Sequence, residues 1–294
     1  MITAVAHDAG GAEIVSSYVR QHPGDWIFCV DGPARTIFER KLGAIVSAPL
    51  EMAVQQGSWV LTGTGWQSDL EWHALGIARH LGKKSVAFLD HWTNYPMRFD
   101  RGGVVHLPDE LWVGDQYAEA IAKKSFGAIR VSLVPNPYLI DVIREIEIAS
   151  RLVSGIREVP QVLYVSEPIR DFAKQSGKPW GYDEFDALRF FLRNADRVAP
   201  NAKRIVIRPH PAEPPGKYDC LLREFPTMPI TLSRSSSLSE DVAMADVVVG
   251  CETMALVVAI GAGRRVISCV PEGGRPCSLP HNNLEHLTRL VSGH

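Results

Sequence analysis

The sequence predicts an α/β protein of two lobes, each a parallel sheet covered by helices. Apolar, β-rich runs recur along all 294 residues, helix-length stretches separate them, and the series breaks at Val134-Pro135-Asn136-Pro137-Tyr138. Short apolar runs alternating with helical segments are the pattern of strands buried on both faces.

The runs of the first lobe are ITAVA (2–6), WIFCV (26–30), AIVS (44–47), SWVLT (58–62), SVAFL (85–89), ELWVG (110–114) and IRVSLV (129–134). Those of the second are QVLYVS (161–166), RIVIRP (204–209), PITLS (229–233), DVVVG (246–250) and RVISCV (265–270). Between them, Gly11 to Val19 follows a glycine turn as a helix, Asp183 to Asn194 sets Phe185, Leu188, Phe191 and Leu192 on one helical face, and Glu252 to Ile260 reads as a short apolar helix. The two prolines after the first series place the division so that residues 1–137 form one lobe and 138–294 form the linker and second lobe. Leu139 to Arg157 reads as a polar helix and linker.

With 46% hydrophobic and 22% charged residues the chain buries a substantial core, and its length favours about two domains. A net charge of −2 gives no reason to expect a nucleic-acid partner, which calls for a basic excess. The five cysteines show no metal-ligand spacing and suit a reducing compartment as free thiols. No basic leader or membrane-length apolar run is present, so a cytoplasmic protein is expected, with peripheral membrane association left open.

In open parallel sheets ligands bind beyond the carboxyl ends of the strands, where loops enter helix N-termini that attract anions. After the first run come His7, Asp8, Gly10, Gly11 and Glu13. Asp8 reads equally as a general base for an acceptor hydroxyl and as a helix cap. GxGxxG is absent, which leaves NAD binding little support. After SVAFL come Asp90, His91, Asn94 and Arg98, interleaved with Trp92, Tyr95 and Phe99. Aromatic rings that pack on sugar faces beside polar groups that bond hydroxyls suggest a sugar-binding loop. Thr62-Gly63-Thr64-Gly65-Trp66 is a weaker candidate, because turn chemistry alone explains its glycines.

In the second lobe, Ser166 and Glu167, then Arg208, His210 and Pro211, then Ser235 and Ser236, and finally Glu252 and Thr253 each follow a strand. Hydroxyls, helix N-terminal amides, an imidazole and a guanidinium are the donors a nucleotide phosphate needs. Two prolines frame His210 in a loop, which favours ligand contact over core packing. The serine run 233–239 also reads as a plain loop that ends in a helix cap.

RIVIRPHP, the serine-rich stretch after it and ADVVVGCETMALVVAIGAGRRVIS resemble the second lobe of GT-B glycosyltransferases. Bacterial surface-polysaccharide transferases are the nearest match: sialyltransferases, capsule Kdo transferases and CDP-glycerol polymerases. The resemblance covers roughly residues 161–270. It implies two Rossmann-like lobes with an interlobe cleft, and a cytidine nucleotide held by His210, Pro211, Ser235 and Ser236, with Glu252 and Thr253 in the last phosphate or ribose loop. Asp8 would be the base, with Glu13 second, in an inverting transfer from a CMP-activated sugar to a glycan acceptor, with neither metal nor cofactor. A UDP-sugar hydrolase or epimerase of the same fold is the rival enzyme, and a non-catalytic nucleotide-sugar-binding module the rival from another class.

Overall fold

Strands form where the apolar runs lie, because a central parallel strand is covered on both faces and needs no polar alternation. The computed structural model describes residues 1–152 and 160–293. The chain divides into two compact units, Met1–Asp141 and Val142–His294, and the division falls inside the helix Pro137–Leu152. Residues 153–157 of the expected linker lie outside the described residues.

The first unit contains β1 (Ile2–Ala6), β2 (Trp26–Val30), β3 (Trp59–Thr62), β4 (Lys84–Leu89), the short antiparallel pair β5 (Asp100–Arg101) and β6 (Val104–Val105), β7 (Glu110–Val113) and β8 (Arg130–Leu133). Six of these make one parallel sheet in the order β2-β1-β3-β4-β7-β8. AIVS forms no strand of it: Ser47 makes an isolated bridge to Phe28, and its hydroxyl bonds the Val30 backbone. Pro49 ends the segment and starts the helix Leu50–Gln56, so the run is too short to pair along its length. Core packing lies on both faces of β1, with Ala4, Ala6, Val15 and Phe38 on one side and Val5, Val54, Val60 and Ala74 on the other.

The second unit repeats the plan with β9 (Gln161–Val165), β10 (Arg204–Arg208), β11 (Ile230–Leu232), β12 (Val247–Gly250), β13 (Arg265–Ser268) and β14 (Leu284–His286). All are parallel, in the order β11-β10-β9-β12-β13-β14. The helix Glu184–Arg193 starts on a reciprocal cap between Asp183 and Asp186 and buries Leu188, Phe191 and Leu192 against Tyr164 and Ile207. The expected helix at 252–260 spans Met254–Gly261, with Thr253 as its cap. Two parallel six-stranded sheets with helical crossovers are the α/β class that the sequence predicts.

Among the described residues no helix is long and apolar enough to cross a membrane. All five cysteines are free thiols, with Cys29, Cys251 and Cys269 buried.

Candidate functional site

In the first unit, three loops meet at the carboxyl ends of β1, β3 and β4. The helix Ala9–Gln21 begins directly after Asp8, which holds the cap position but makes no side-chain cap bond. Its carboxylate is used elsewhere: Oδ2 accepts from the Trp66 and Gln67 amides at 3.0 and 3.3 Å, and Oδ1 lies 2.8 Å from Nδ1 of His7. An ionised carboxylate can only accept, so the neutral His7 ring carries its proton on Nδ1 and presents a lone pair at Nε2. Gly32, at φ +53°, lies against that edge, and a Cβ there would sit 2.5 Å from Nε2. Asp8 thus orients the His7 ring through Nδ1.

The first turn of that helix also approaches β3's loop backbone to backbone. A Cβ on Gly11 would lie 2.9 Å from Cα of Gly63 and 3.0 Å from N of Thr64, and the strand end cannot swing aside as a side chain can. Gly11→Ala is therefore expected to lose about 2 kcal/mol despite alanine's better helix propensity, since overpacking against backbone outweighs a gain of roughly 1 kcal/mol. Urea denaturation measures this, and an unchanged midpoint would refute the close approach.

Gly10 faces Asp90, whose carboxylate leaves no room for a side chain there. Asp90 pairs with Arg98, and Nη1 of Arg98 also reaches Thr64 Oγ1 at 2.7 Å. Arg98 is buried, as are Trp92, Tyr95 and Phe99. Tyr95 stacks on Phe126, Phe99 packs edge-on against it, and Trp92 donates to Asp115. The aromatics of this loop are core and offer no sugar platform, because each ring fills the space under the loop. His91 lies beside Thr93, and Asn94 takes the left-handed conformation at φ 59°. Glu13 stands apart, on the helix, where it pairs with Arg40 and Lys41.

Glu71 joins this cluster without any signal in the sequence. It sits in the first turn of the helix Leu70–His80, and its Oε1 accepts the His7 amide at 2.7 Å. Burial, reinforced by the Asp8 charge, pushes its carboxyl up from the ordinary value, and Oε2 has no hydrogen-bond partner among the described residues.

In the second unit the loops after β9, β10, β11 and β12 carry the expected residues, and the structure shows what each donor already does. Arg208 is committed to Asp241 at 2.6 Å and to the carbonyls of Ser235 and Ser237, so it ties down the serine run. Ser236 hydrogen-bonds Glu240, and Ser237 caps the helix Leu238–Met244. Ser233 and Ser235 border a groove of ≈ 940 Å³ that runs along Arg204, Val206 and Leu232. The Cys251 and Glu252 amides, at the loop where Glu252 and Thr253 are expected to meet a phosphate or ribose, point at Glu167 Oε1 at 3.1 and 2.8 Å. The chain's own carboxylate takes them because Glu167 is buried and needs donors. That burial, together with the Glu252 charge, pushes its pKa to about 7. Glu252 itself pairs with Arg275, which lies over the Trp180 ring at 3.7 Å. Thr253 is used as a cap.

His210 lies beyond β10, edge-on to Phe172, with burial lowering its pKa. The turn 210–213 brings in Glu213, which the sequence reading passes over. Its Oε2 accepts the His210 amide at 2.9 Å, and Oε1 accepts from Tyr218 Oη at 2.7 Å and Lys217 Nζ at 2.9 Å. Ser166 bonds both Glu213 and Tyr218. Pro211 is exposed on the same turn.

No family model and no curated protein matches the chain. Solved structures do. The UDP-GlcNAc 2-epimerase of Methanocaldococcus jannaschii aligns over 99% of this chain and 90% of its own, with a TM-score of 0.66 and 12% identity. MnaA of S. aureus, solved with UDP, aligns over 92% and 79% with a TM-score of 0.60 and 12% identity. A glycosyltransferase from Rickettsia africae aligns over 97% and 83% with a TM-score of 0.57 and 10% identity. At these identities the likeness is one of fold.

Proposed function

We propose that this chain is a nucleotide-sugar enzyme, a glycosyltransferase that moves a sugar from a CMP-activated donor to a glycan acceptor. The observation that carries the reading is the His7–Asp8 pair at the carboxyl end of β1, with Asp8 on Nδ1 and the Nε2 edge bordered by Gly32, where only a glycine leaves it uncovered. Such a dyad takes a proton from an acceptor hydroxyl as that oxygen attacks the anomeric carbon, and Asp8 stabilises the imidazolium that results. His7 is then the base and Asp8 its orienting partner, while Glu71 holds the His7 backbone. The second unit holds the nucleotide, with His210 as donor to the departing phosphate and the serine run held in place by Arg208. The acceptor oxygen bonds the anomeric carbon on the face opposite the phosphate, whose bond to that carbon breaks with its electron pair leaving on the nucleotide; the transfer inverts, and protein donors rather than a metal offset the phosphate charge. The resemblance of RPHP and the serine run to cytidine-using transferases favours CMP or CDP over uridine nucleotides.

The overlap with a UDP-GlcNAc 2-epimerase across nearly the whole chain supports a second reading, in which the same dyad moves a proton on a UDP-sugar. Titrations of CMP, CDP, UMP and UDP, followed by melting temperature, separate the two, because a ligand that binds only the folded state raises apparent stability. A shift with cytidine nucleotides that His210→Ala abolishes is expected. His7→Gln should keep that shift and lower turnover by about 10²–10⁴. Stabilisation by uridine nucleotides alone moves the assignment to the epimerase class, and no stabilisation by any nucleotide removes it.

A further inference from the structure

We infer that His210 acts as a neutral hydrogen-bond donor through Nε2, and that the buried Glu213 is the residue that positions it. The inference rests on the nucleotide-binding reading above for its purpose, but its geometry stands without a ligand. The Ala212 amide donates to His210 Nδ1 at 3.1 Å. A backbone N–H has no lone pair to offer in return, so Nδ1 must be bare and the single proton of the neutral ring sits on Nε2. This is the opposite tautomer to that of His7, whose Nδ1 faces a carboxylate. One ring is arranged to receive a proton and the other to give a hydrogen bond.

The turn that holds Ala212 in place is closed twice by Glu213. Its amide donates to the His210 carbonyl at 2.9 Å, and its side chain accepts the His210 amide at 2.9 Å. The carboxylate is 1% exposed and is fixed from three further directions by Ser166, Lys217 and Tyr218. Lys217 is in turn paired with Glu184 of the helix Glu184–Arg193. The loop after β9, the turn after β10 and that helix therefore converge on one carboxylate, which reaches the candidate site through the His210 amide and the Ser166 hydroxyl. The groups acting on the ring's charge oppose one another: burial and Lys217 disfavour the imidazolium, and Glu213 favours it. A neutral Nε2–H gives a phosphate oxygen a directed bond without a proton to transfer, so the nucleotide leaves as the anion and no acid step is needed on that side.

Side-chain ¹⁵N spectra of the free full-length protein at pH 7, with His210 assigned by its absence in His210→Ala, test this directly. The expected spectrum has Nδ1 as the unprotonated and Nε2 as the protonated nitrogen. An imidazolium, or a proton on Nδ1, overturns the inference whether or not any nucleotide binds. Glu213→Gln, checked for folding by circular dichroism, should populate both tautomers and weaken binding of the stabilising nucleotide about tenfold, a loss of ~1.4 kcal/mol. A variant that folds and keeps the wild-type spectrum and affinity overturns the role of Glu213. If Glu213→Gln does not fold, Tyr218→Phe removes one of the donors to Glu213, and a spectrum unchanged from wild type has the same meaning. Should no nucleotide bind the wild type, the functional reading fails while the tautomer is still decided by the free-protein spectrum.

Discussion

Arg98→Met is expected to destabilise the first unit by about 3 kcal/mol, the largest single effect predicted for this chain. The guanidinium is 4% exposed, and its pairing with Asp90 is supplemented by Thr64 Oγ1 and by the carbonyls of Thr64 and Thr93. Methionine fills much of the volume but leaves a mostly buried carboxylate without its partner, a loss of roughly 3–5 kcal/mol where such pairs are broken. The same loop covers Tyr95 and Phe99, so its loosening exposes aromatic core as well. Six of the seven tryptophans lie within residues 1–141, so fluorescence-monitored urea unfolding reports almost entirely on this unit. Adding Asp90→Asn should recover part of the loss, since the uncompensated charge is then gone. A loss below about 1 kcal/mol for Arg98→Met would show that the pair is solvated and that Asp90 is available to a ligand.

That outcome bears on how the site could be read from sequence. The central strands are legible because they are buried on both faces: ITAVA, SVAFL, QVLYVS and DVVVG are mostly apolar, without polar alternation, and form β1, β4, β9 and β12. β14 was not, because Leu284–His286 contains one apolar residue and pairs only at the sheet edge. The loops after strands were equally legible, since their glycines and prolines mark turns. What those turns hold was not. The three aromatics after β4 read as ligand contacts and are core, because a sequence does not show that Phe126 packs against Tyr95 and Phe99 or that Asp115 accepts from Trp92. Glu71 and Glu213 went unnoticed for the converse reason. Each is one charged residue among many, and only tertiary packing brings the first to the His7 amide and the second to four donors from two loops. Asp8 was found and its partner underestimated, because adjacency in sequence does not reveal that both carboxylate oxygens are engaged.

Glu167 offers the second large effect, and its sign follows from burial. Its pKa of about 7 in the folded protein exceeds the ordinary 4.5, because desolvation disfavours the carboxylate more than the Cys251 and Glu252 amides favour it. Between about pH 4.5 and 7 the folded state therefore holds a proton that the unfolded chain has released. Stability contributed by that proton is fully present below about pH 4.5 and declines as pH rises through about 7. A gap of roughly 2.5 pH units corresponds to ~3 kcal/mol, an upper figure for a buried group that can relax. Glu167→Gln removes the titration while its amide oxygen can still accept both backbone bonds. The variant should match or fall slightly below wild type at pH 5 and exceed it by about 2 kcal/mol at pH 8, with a correspondingly flatter stability curve. The comparison between the two proteins cancels the titrating groups that do not interact with Glu167. Parallel curves from pH 5 to 8 would mean that Glu167 is ionised throughout, held as a carboxylate by the amides at the start of the helix Met254–Gly261. Those amides would then be anion-binding groups already satisfied by the chain, and a nucleotide phosphate would have to rely on His210 and the serine run instead.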